Sequence, residues 1–273
     1  MINISIVLFK TPKSEILNII GLLNKLPQSY LNQIYVIDNS PDKTNINFHK
    51  ISSTIKYFHT PHNPGYGAGH NIAIRESLSK GIDFHLVLNT DVYFDIEMLL
   101  EMIKFLQKNI NIDMLSPFIY FPNGNLQQRG KLLPTPLNMF FRALLPRSLR
   151  KKIDGKYELT KFDSIKPYKV PYISGAFMLI RTKVLSLTGI FDERFFMYPE
   201  DIDLSRRIAS ISTVVVHPEF KIYHEYNGET RKSLRMFIIH TYNMMKYFNK
   251  WGWFFDLGRK KLNNMTLKQF KEI

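Results

Sequence analysis

The chain has 273 residues, 45% of them hydrophobic, which is enough to bury a sizeable core and excludes a disordered chain. Cysteine is absent, so disulfides and thiolate metal sites are excluded and any metal must be held by oxygen or imidazole. The net charge of +14 is uneven: residues 129–169 carry 11 Lys/Arg against 3 Asp/Glu, residues 231–273 carry 10 against 2, and the remainder carries 16 against 18.

Ile2 to Leu8 is apolar and β-branched, the pattern of a buried strand, broken by Thr11-Pro12. Ser14 to Leu26 spaces its apolar residues as a helix does, with Ser14 as the expected N-cap. Strands follow at Gln33–Ile37 and Ile55–His59, a helix at Gly69–Ser79, a strand at Asp83–Leu88 and a helix at Ile96–Gln107. This alternation predicts βαβ units and a mostly parallel sheet. Beyond it, Met114–Phe121, Tyr172–Arg181 and Thr213–Val216 read as strands and Asp201–Ile211 as a helix. Residues 122–170, rich in Pro, basic and aromatic residues, read as a long mobile insertion, and Ser233–Asn263 reads as amphipathic helix. Met1–Phe9 has no basic leader, and no run of about 18 apolar residues is free of charge, so a cytoplasmic protein without signal peptide or spanning helix is expected.

In an open parallel sheet ligands bind beyond the carboxyl ends of the strands, and three polar clusters fall there. Asp38, at the head of Asp38-Asn39-Ser40-Pro41-Asp42, can accept from a base or a ribose, or close an Asx-turn. Asn63-Pro64-Gly65-Tyr66-Gly67-Ala68-Gly69-His70-Asn71 carries alternate glycines that allow close backbone approach to a ligand, although it is not the dinucleotide fingerprint. In Asn89-Thr90-Asp91 a rim carboxylate can bind a hard cation such as Mg²⁺ or Mn²⁺, or simply end a strand. A fourth cluster, Glu200-Asp201-Ile202-Asp203, opens a helix. Acidic residues there suit the helix dipole, but a third carboxylate points to a general base or a cation-coupled group. His224 is either structural or a metal ligand in a chain without cysteine.

Taken in order, VIDNSPD, NPGYGAGHNIAI, LNTDV, SGAFMLIR and GIFDERFFMYPEDIDLSRRI, with the late His224, resemble family 2 glycosyltransferases over roughly residues 1 to 245. The likeness is nearest the bacterial rhamnosyltransferase-like branch, which itself resembles galactofuranosyltransferases. It implies an α/β GT-A fold: one Rossmann-like nucleotide-binding sheet flanked by helices, with amphipathic helices at the C-terminal end. It implies domain bounds of 1–232 for the catalytic unit, with a nucleotide-sugar half at 1–115 and an acceptor half at 116–232 that includes the insertion 122–170, followed by a helical extension at 233–273.

The implied activity is inverting, metal-dependent transfer from a nucleoside-diphosphate sugar, such as dTDP-rhamnose or a UDP-sugar, to a glycan or a lipid-pyrophosphate-linked glycan in bacterial surface polysaccharide synthesis. By resemblance Asp201, in its pair with Glu200, matches the catalytic base. Thr11, Asp38, Asn63, Gly65, Gly67, Asn71, Asn89 and Gly175 match the donor-binding set. Asp91 and His224 match ligands for Mg²⁺ or Mn²⁺. Asn89 stands where the family's triplet has its first Asp, leaving fewer carboxylates for the metal.

Two other classes compete. A nucleic-acid-binding protein suits the charge, but no helix-turn-helix, zinc or RNP-type motif is present, and no nucleic acid is expected as a partner. A sugar nucleotidyltransferase would need a glycine-rich, basic loop near the start, and Ile6 to Thr11 has no glycine. The aromatic, basic C-terminal segment leaves two readings open: an anchor on the anionic inner face of the cell membrane, or packing against the core or the second subunit of a homodimer.

Overall fold

A computed structural model describes residues 1–141, 145–160, 162, 164–225 and 233–270. Strands β1 (Ile2–Leu8), β2 (Leu31–Asp38), β3 (Ile55–His59) and β4 (Phe84–Leu88) lie parallel in the order β3-β2-β1-β4. They are joined through α1 (Lys13–Leu23), the short α2 (Phe48–Ile51) and α3 (Tyr66–Ser79). Beyond β4, a short β5 (Val92–Tyr93) and α4 (Ile96–Lys108) lead to β6 (Ile112–Tyr120), which carries β7 (Leu126–Gln128) at its far end. Next come a π-helical turn at Leu137–Phe141, α5 (Arg147–Tyr157), β8 (Tyr168–Lys169), β9 (Phe177–Arg181), α6 (Thr182–Thr188), α7 (Glu200–Ile211) and β10 (Thr213–His224). The last helices are α8 (Leu234–Trp251) and α9 (Leu257–Lys268). The sheet continues past β4 as β9-β6-β10-β5, with β8 on β10.

Helices cover both faces. Ile16, Ile19, Ile20 and Leu23 of α1 and Leu99, Met102, Ile103 and Leu106 of α4 pack on Ile2, Ile4, Ile6 and Leu8 from one side. Ile74 of α3, Val184 and Leu185 of α6 and Leu204 and Ile208 of α7 cover Val87, Met178 and Ile180 from the other. Strands buried on both faces read as unbroken apolar runs, which is why they were visible in the sequence. Strand order reverses at β1, whose neighbours β2 and β4 lead in opposite directions, so the crevice beyond β1 and β4 is the expected ligand site.

Several expectations are corrected. The sheet is mixed: β9 runs antiparallel to β4 and β6, and β5, β7 and β8 also pair antiparallel. The described part of 122–170, read as a long mobile insertion, carries β7, the π turn, α5 and β8. Helix α3 starts at Tyr66, inside the glycine-rich stretch. Pro12, not Ser14, precedes α1, and no side chain caps that helix.

A polar seam runs through the interior between β1, β4 and α3. Asn32 donates to Asn3 (2.7 Å), Asn3 to Ser77 (2.8 Å), and Ser77 donates to the Ala73 carbonyl (3.1 Å). With the Ser77 proton so committed, His85 Nδ1–H donates to Ser77 Oγ (2.8 Å) and His85 Nε2 accepts from Ser5 Oγ (2.8 Å). Ser5 Oγ then accepts from His70 Nδ1–H (2.6 Å). This order keeps both rings neutral, as burial requires: burial pushes His85 down to about 3, and burial followed by the nearby His85 pushes His70 well below its usual range.

Candidate active site

Asp38, at the end of β2, is buried and its carboxylate is already occupied. Oδ1 accepts from the Ser40 amide (3.0 Å), and Oδ2 accepts from the Thr44 amide (2.9 Å) and the Tyr57 hydroxyl (2.8 Å). Burial alone would raise this acid, but these donors outweigh it and hold the carboxyl below its usual value. Thr11 sits beyond β1 and accepts from the Phe9 amide (3.2 Å).

The alternate glycines face protein. Gly65 has φ +104°, and a β-carbon there would lie 2.2 Å from the Phe196 carbonyl oxygen. At Gly67 it would meet Phe191 at 2.9 Å, and at Gly69 it would meet Val7 at 2.8 Å. Asn63, also at positive φ, closes an Asx-turn by accepting from the Gly65 amide (3.2 Å). Buried Asn71 donates to the Phe191 carbonyl and Glu193 (both 2.9 Å) and accepts from the Phe191 amide (3.0 Å). Asn71 therefore fixes the 191–193 loop against α3.

Asn89 and Asp201 are joined through Gly175, which the resemblance places in the donor set, and Tyr66, which sequence reasoning left unassigned. Asp201 Oδ2 accepts from the Gly175 amide (3.1 Å) and the Tyr172 hydroxyl (3.3 Å), while Oδ1 accepts from the Ile202 amide (2.8 Å). The Gly175 carbonyl lies 2.8 Å from the Tyr66 hydroxyl, which in turn lies 2.9 Å from Asn89 Oδ1. A phenol has one proton. If it goes to Gly175, the Asn89 amide must turn its NH₂ toward the Tyr66 oxygen.

Glu200 and Asp201 differ sharply. Glu200 is buried against the glycine-rich turn, and its Oε2 has no hydrogen-bond partner among the described residues. Burial and then the charge of Asp201 push the Glu200 carboxyl well up. Burial also raises Asp201, but the Gly175 and Ile202 amides, the Tyr172 hydroxyl and the charge of Lys131 oppose it. Two adjacent carboxyls sharing a buried site hold one proton readily. The proton belongs on Glu200, whose Oε2 has no hydrogen-bond partner among the described residues, and the anion on Asp201, which collects more donors. The third carboxylate, Asp203, is turned away from the site: it accepts from Trp251 Nε1 (2.8 Å) and Arg207 Nε (2.8 Å) and pairs with Lys250 (2.7 Å).

Asp91 and His224 meet at the same rim. Asp91 Oδ1 is 3.2 Å from His224 Nε2, and His224 Nδ1 is 2.8 Å from Gln127 Oε1. With Gln127 presenting its amide oxygen, Nδ1–H is the donor to it, and Nε2 then either donates to Asp91 as an N–H or, without a proton, shares a cation with it. That second state suits a cation between the two atoms, and the Gln127 contact would orient the ring for it. Glu15 and Glu225 add negative charge: burial first, then Asp91 and Glu225, raise Glu15, which Thr90 contacts. Among the described residues no group of three His, Cys, Asp or Glu is arranged around one metal position. Water and ligand oxygens would have to complete the shell. Gln127, Tyr66 and Tyr172 carried no signal of their own: the first lies in the segment read as an insertion, the second inside the glycine-rich stretch, where only the glycines drew notice, and the third at the head of a stretch read as a strand.

Beside β7 a cavity of about 530 Å³ is lined by Phe118, Tyr120, Leu126, Arg129 and Lys166, among others.

A profile described as Glycosyl transferase family 2 matches residues 6–188, as the ordered motifs imply. The chain is 29% identical over 176 residues to the low-salt glycan biosynthesis hexosyltransferase Agl10 of Haloferax volcanii, covering 64% of this chain and 52% of that protein. It is 30% identical over 113 residues to the N-acetylglucosaminyl-diphospho-decaprenol L-rhamnosyltransferase of Mycobacterium tuberculosis, covering 40% and 36% respectively. The chain thus matches about half or less of the length of these relatives. Among solved structures it resembles GalNAc-T7 with UDP, GalNAc and Mn²⁺ (TM-score 0.61, 16% identity, covering 84% of this chain and 44% of that one). It also resembles S. aureus TarS (TM-score 0.57, 16% identity, covering 84% and 37%). These likenesses identify the GT-A fold.

Proposed function

The chain belongs to glycosyl transferase family 2, and on that footing we propose that it transfers a sugar, with inversion, from a nucleoside diphosphate to a hydroxyl of a glycan or lipid-pyrophosphate-linked glycan. Donors such as dTDP-rhamnose or a UDP-sugar fit this reading, which the rhamnosyltransferase and hexosyltransferase relatives support. Residues 1–115 then form the donor half and 116–232 the acceptor half, with 233–273 as a helical extension. The observation that carries the reading is the bonded path Asn89–Tyr66–Gly175–Asp201, which holds an anionic carboxylate beside the switch-point rim.

Asp201 accepts the proton of the acceptor hydroxyl as that oxygen bonds to the anomeric carbon and the bond to the diphosphate oxygen breaks on the opposite face. A single displacement with one base inverts the centre. Tyr172 and the Gly175 amide hold the carboxylate in place, and protonated Glu200 keeps a second negative charge away from it. Asp91 and His224 are suited to hold Mg²⁺ or Mn²⁺, which when bound supplies positive charge against the departing diphosphate. Mn²⁺ in the GalNAc-T7 structure supports a divalent ion for this fold. The apolar and cationic lining of the β7 cavity suits a sugar face beside a phosphate.

Asp201→Asn keeps the shape and removes the base. Turnover should fall about 100-fold or more with donor affinity nearly unchanged. Near-parental turnover with an acceptor would move the base elsewhere.

A further inference from the structure

The two basic segments are far apart in sequence, but the structure packs them together. Leu133 and Asn263 exchange two hydrogen bonds (2.7 and 3.0 Å), and Lys169 and Gln269 exchange two more (both 2.9 Å). Phe140 stacks on Trp253 at 5.8 Å, and Phe162 packs on Phe270 at 4.7 Å. The aromatic residues of the C-terminal helices divide in consequence. Tyr247 and Phe248 enter a core cluster with Leu133, Tyr172 and Phe195, against which Trp251 and Trp253 pack.

Others remain outside. Phe254, Phe255 and Leu257, in and after the α8–α9 turn, are 72%, 98% and 84% exposed. Along α8, Leu234, Phe237, Ile238, Tyr242 and Met245 form an exposed stripe at helical spacing, and none of the first nine residues of that helix is buried. Of the 21 large hydrophobic residues exposed among the described residues, 12 lie in these two segments. Exposed cations accompany them: Arg150, Lys151 and Lys156 on α5, Arg235 on α8, and Lys260, Lys261 and Lys268 on α9.

We propose that this joint surface docks on an anionic lipid bilayer, with Phe254, Phe255 and Leu257 inserted at the headgroup level and Lys260 and Lys261 on lipid phosphates. Charge decides the occupant. A second copy would bring another strongly cationic face against this one, whereas anionic headgroups neutralise it. Exposed aromatic residues beside lysines suit the lipid–water interface. No helix among the described residues is long and apolar enough to cross a membrane, so the contact lies in the interface plane. The inference rests on the transferase reading only in naming the bilayer as the place where a lipid-linked acceptor is met; vesicle binding needs no turnover.

The test is co-sedimentation of the full chain with vesicles of phosphatidylglycerol and phosphatidylcholine, compared with phosphatidylcholine alone. Binding should be about 10-fold or more stronger on the anionic vesicles and should weaken steeply as salt rises. The joint variant Phe254→Ser, Phe255→Ser, Leu257→Ser and the pair Lys260→Glu, Lys261→Glu should each lose about 10-fold or more, with UDP affinity unchanged. Equal binding to both vesicles, or full binding by either variant, overturns the proposal. So does a salt-stable dimer in sedimentation velocity that the apolar variant dissociates, because a second copy would then cover the face.

Discussion

At the scale of single residues, the pairing of Asp91 with His224 makes a prediction that separates a metal site from a structural contact. Removing a carboxylate that binds only through a cation should matter only when the cation is present. Asp91→Ala should weaken UDP binding in Mn²⁺ about 10-fold or more and leave binding in EDTA unchanged. His224→Ala is the sharper probe, since the histidine also pairs with Gln127. If calorimetry finds its Mn²⁺ affinity equal to the parent's, the ring is a structural partner of β7 and nothing more. Asp91 stood out as a lone carboxylate at a strand end, whereas Asp201 was singled out among the three carboxylates at the start of α7 only by the family resemblance. The pairing of Asn89 with Tyr66 could not be read at all, since no periodicity reveals which aromatic hydroxyl points toward a rim.

At the scale of elements, the seam between β1, β4 and α3 makes stability depend on pH. In the unfolded chain His85 takes up a proton below about 6.5. Folded, it resists until about 3. Between those values the unfolded state binds more protons, so stability falls as pH is lowered, by about 2 kcal/mol for one such ring at pH 5. Glu200 works the other way, because its folded carboxyl keeps a proton that the unfolded chain loses. The measurement therefore belongs in a Glu200→Gln background, as urea midpoints from pH 7 to pH 5. A flat midpoint, or ring chemical shifts that report a protonated His85 at pH 5, would defeat the argument. The elements themselves were largely legible: β1 to β4 and α4 announce themselves by apolar runs and helical spacing. The parallel count was not, because β9 inserts between β4 and β6, and a strand's direction leaves no mark on its own residues. Helix α3 was read too short because Gly65, Gly67 and Gly69 looked like a ligand loop, whereas they give the closeness that Phe196, Phe191 and Val7 require.

At the scale of the whole molecule, the C-terminal helices are fastened to the helix that carries Asp201. Arg206 of α7 makes a two-pronged pair with Asp256 (2.7 and 2.6 Å), both side chains 3% exposed, and stacks on Trp251 at 3.9 Å. Breaking one side of a buried pair strands the other charge, so Asp256→Ala should cost about 3–5 kcal/mol. Part of that is the lost cap on α9, where Asp256 accepts from the Arg259 amide. Asp256→Asn, which keeps a capping oxygen, should cost less. Urea unfolding decides it, and a loss below about 1 kcal/mol for Asp256→Ala would mean the pair contributes little.

The same fastening has a consequence for how the molecule is made. While a ribosome is still short of residue 251, the sheet and the rim can assemble, but Asp203 lacks Trp251 and Arg206 lacks Asp256. Two charges meant for burial are then in water at the start of the helix that holds Asp201. A nascent chain released at residue 232 would therefore keep its β1–β4 strands yet carry a loosely seated Asp201, which would settle only as the final helices emerge.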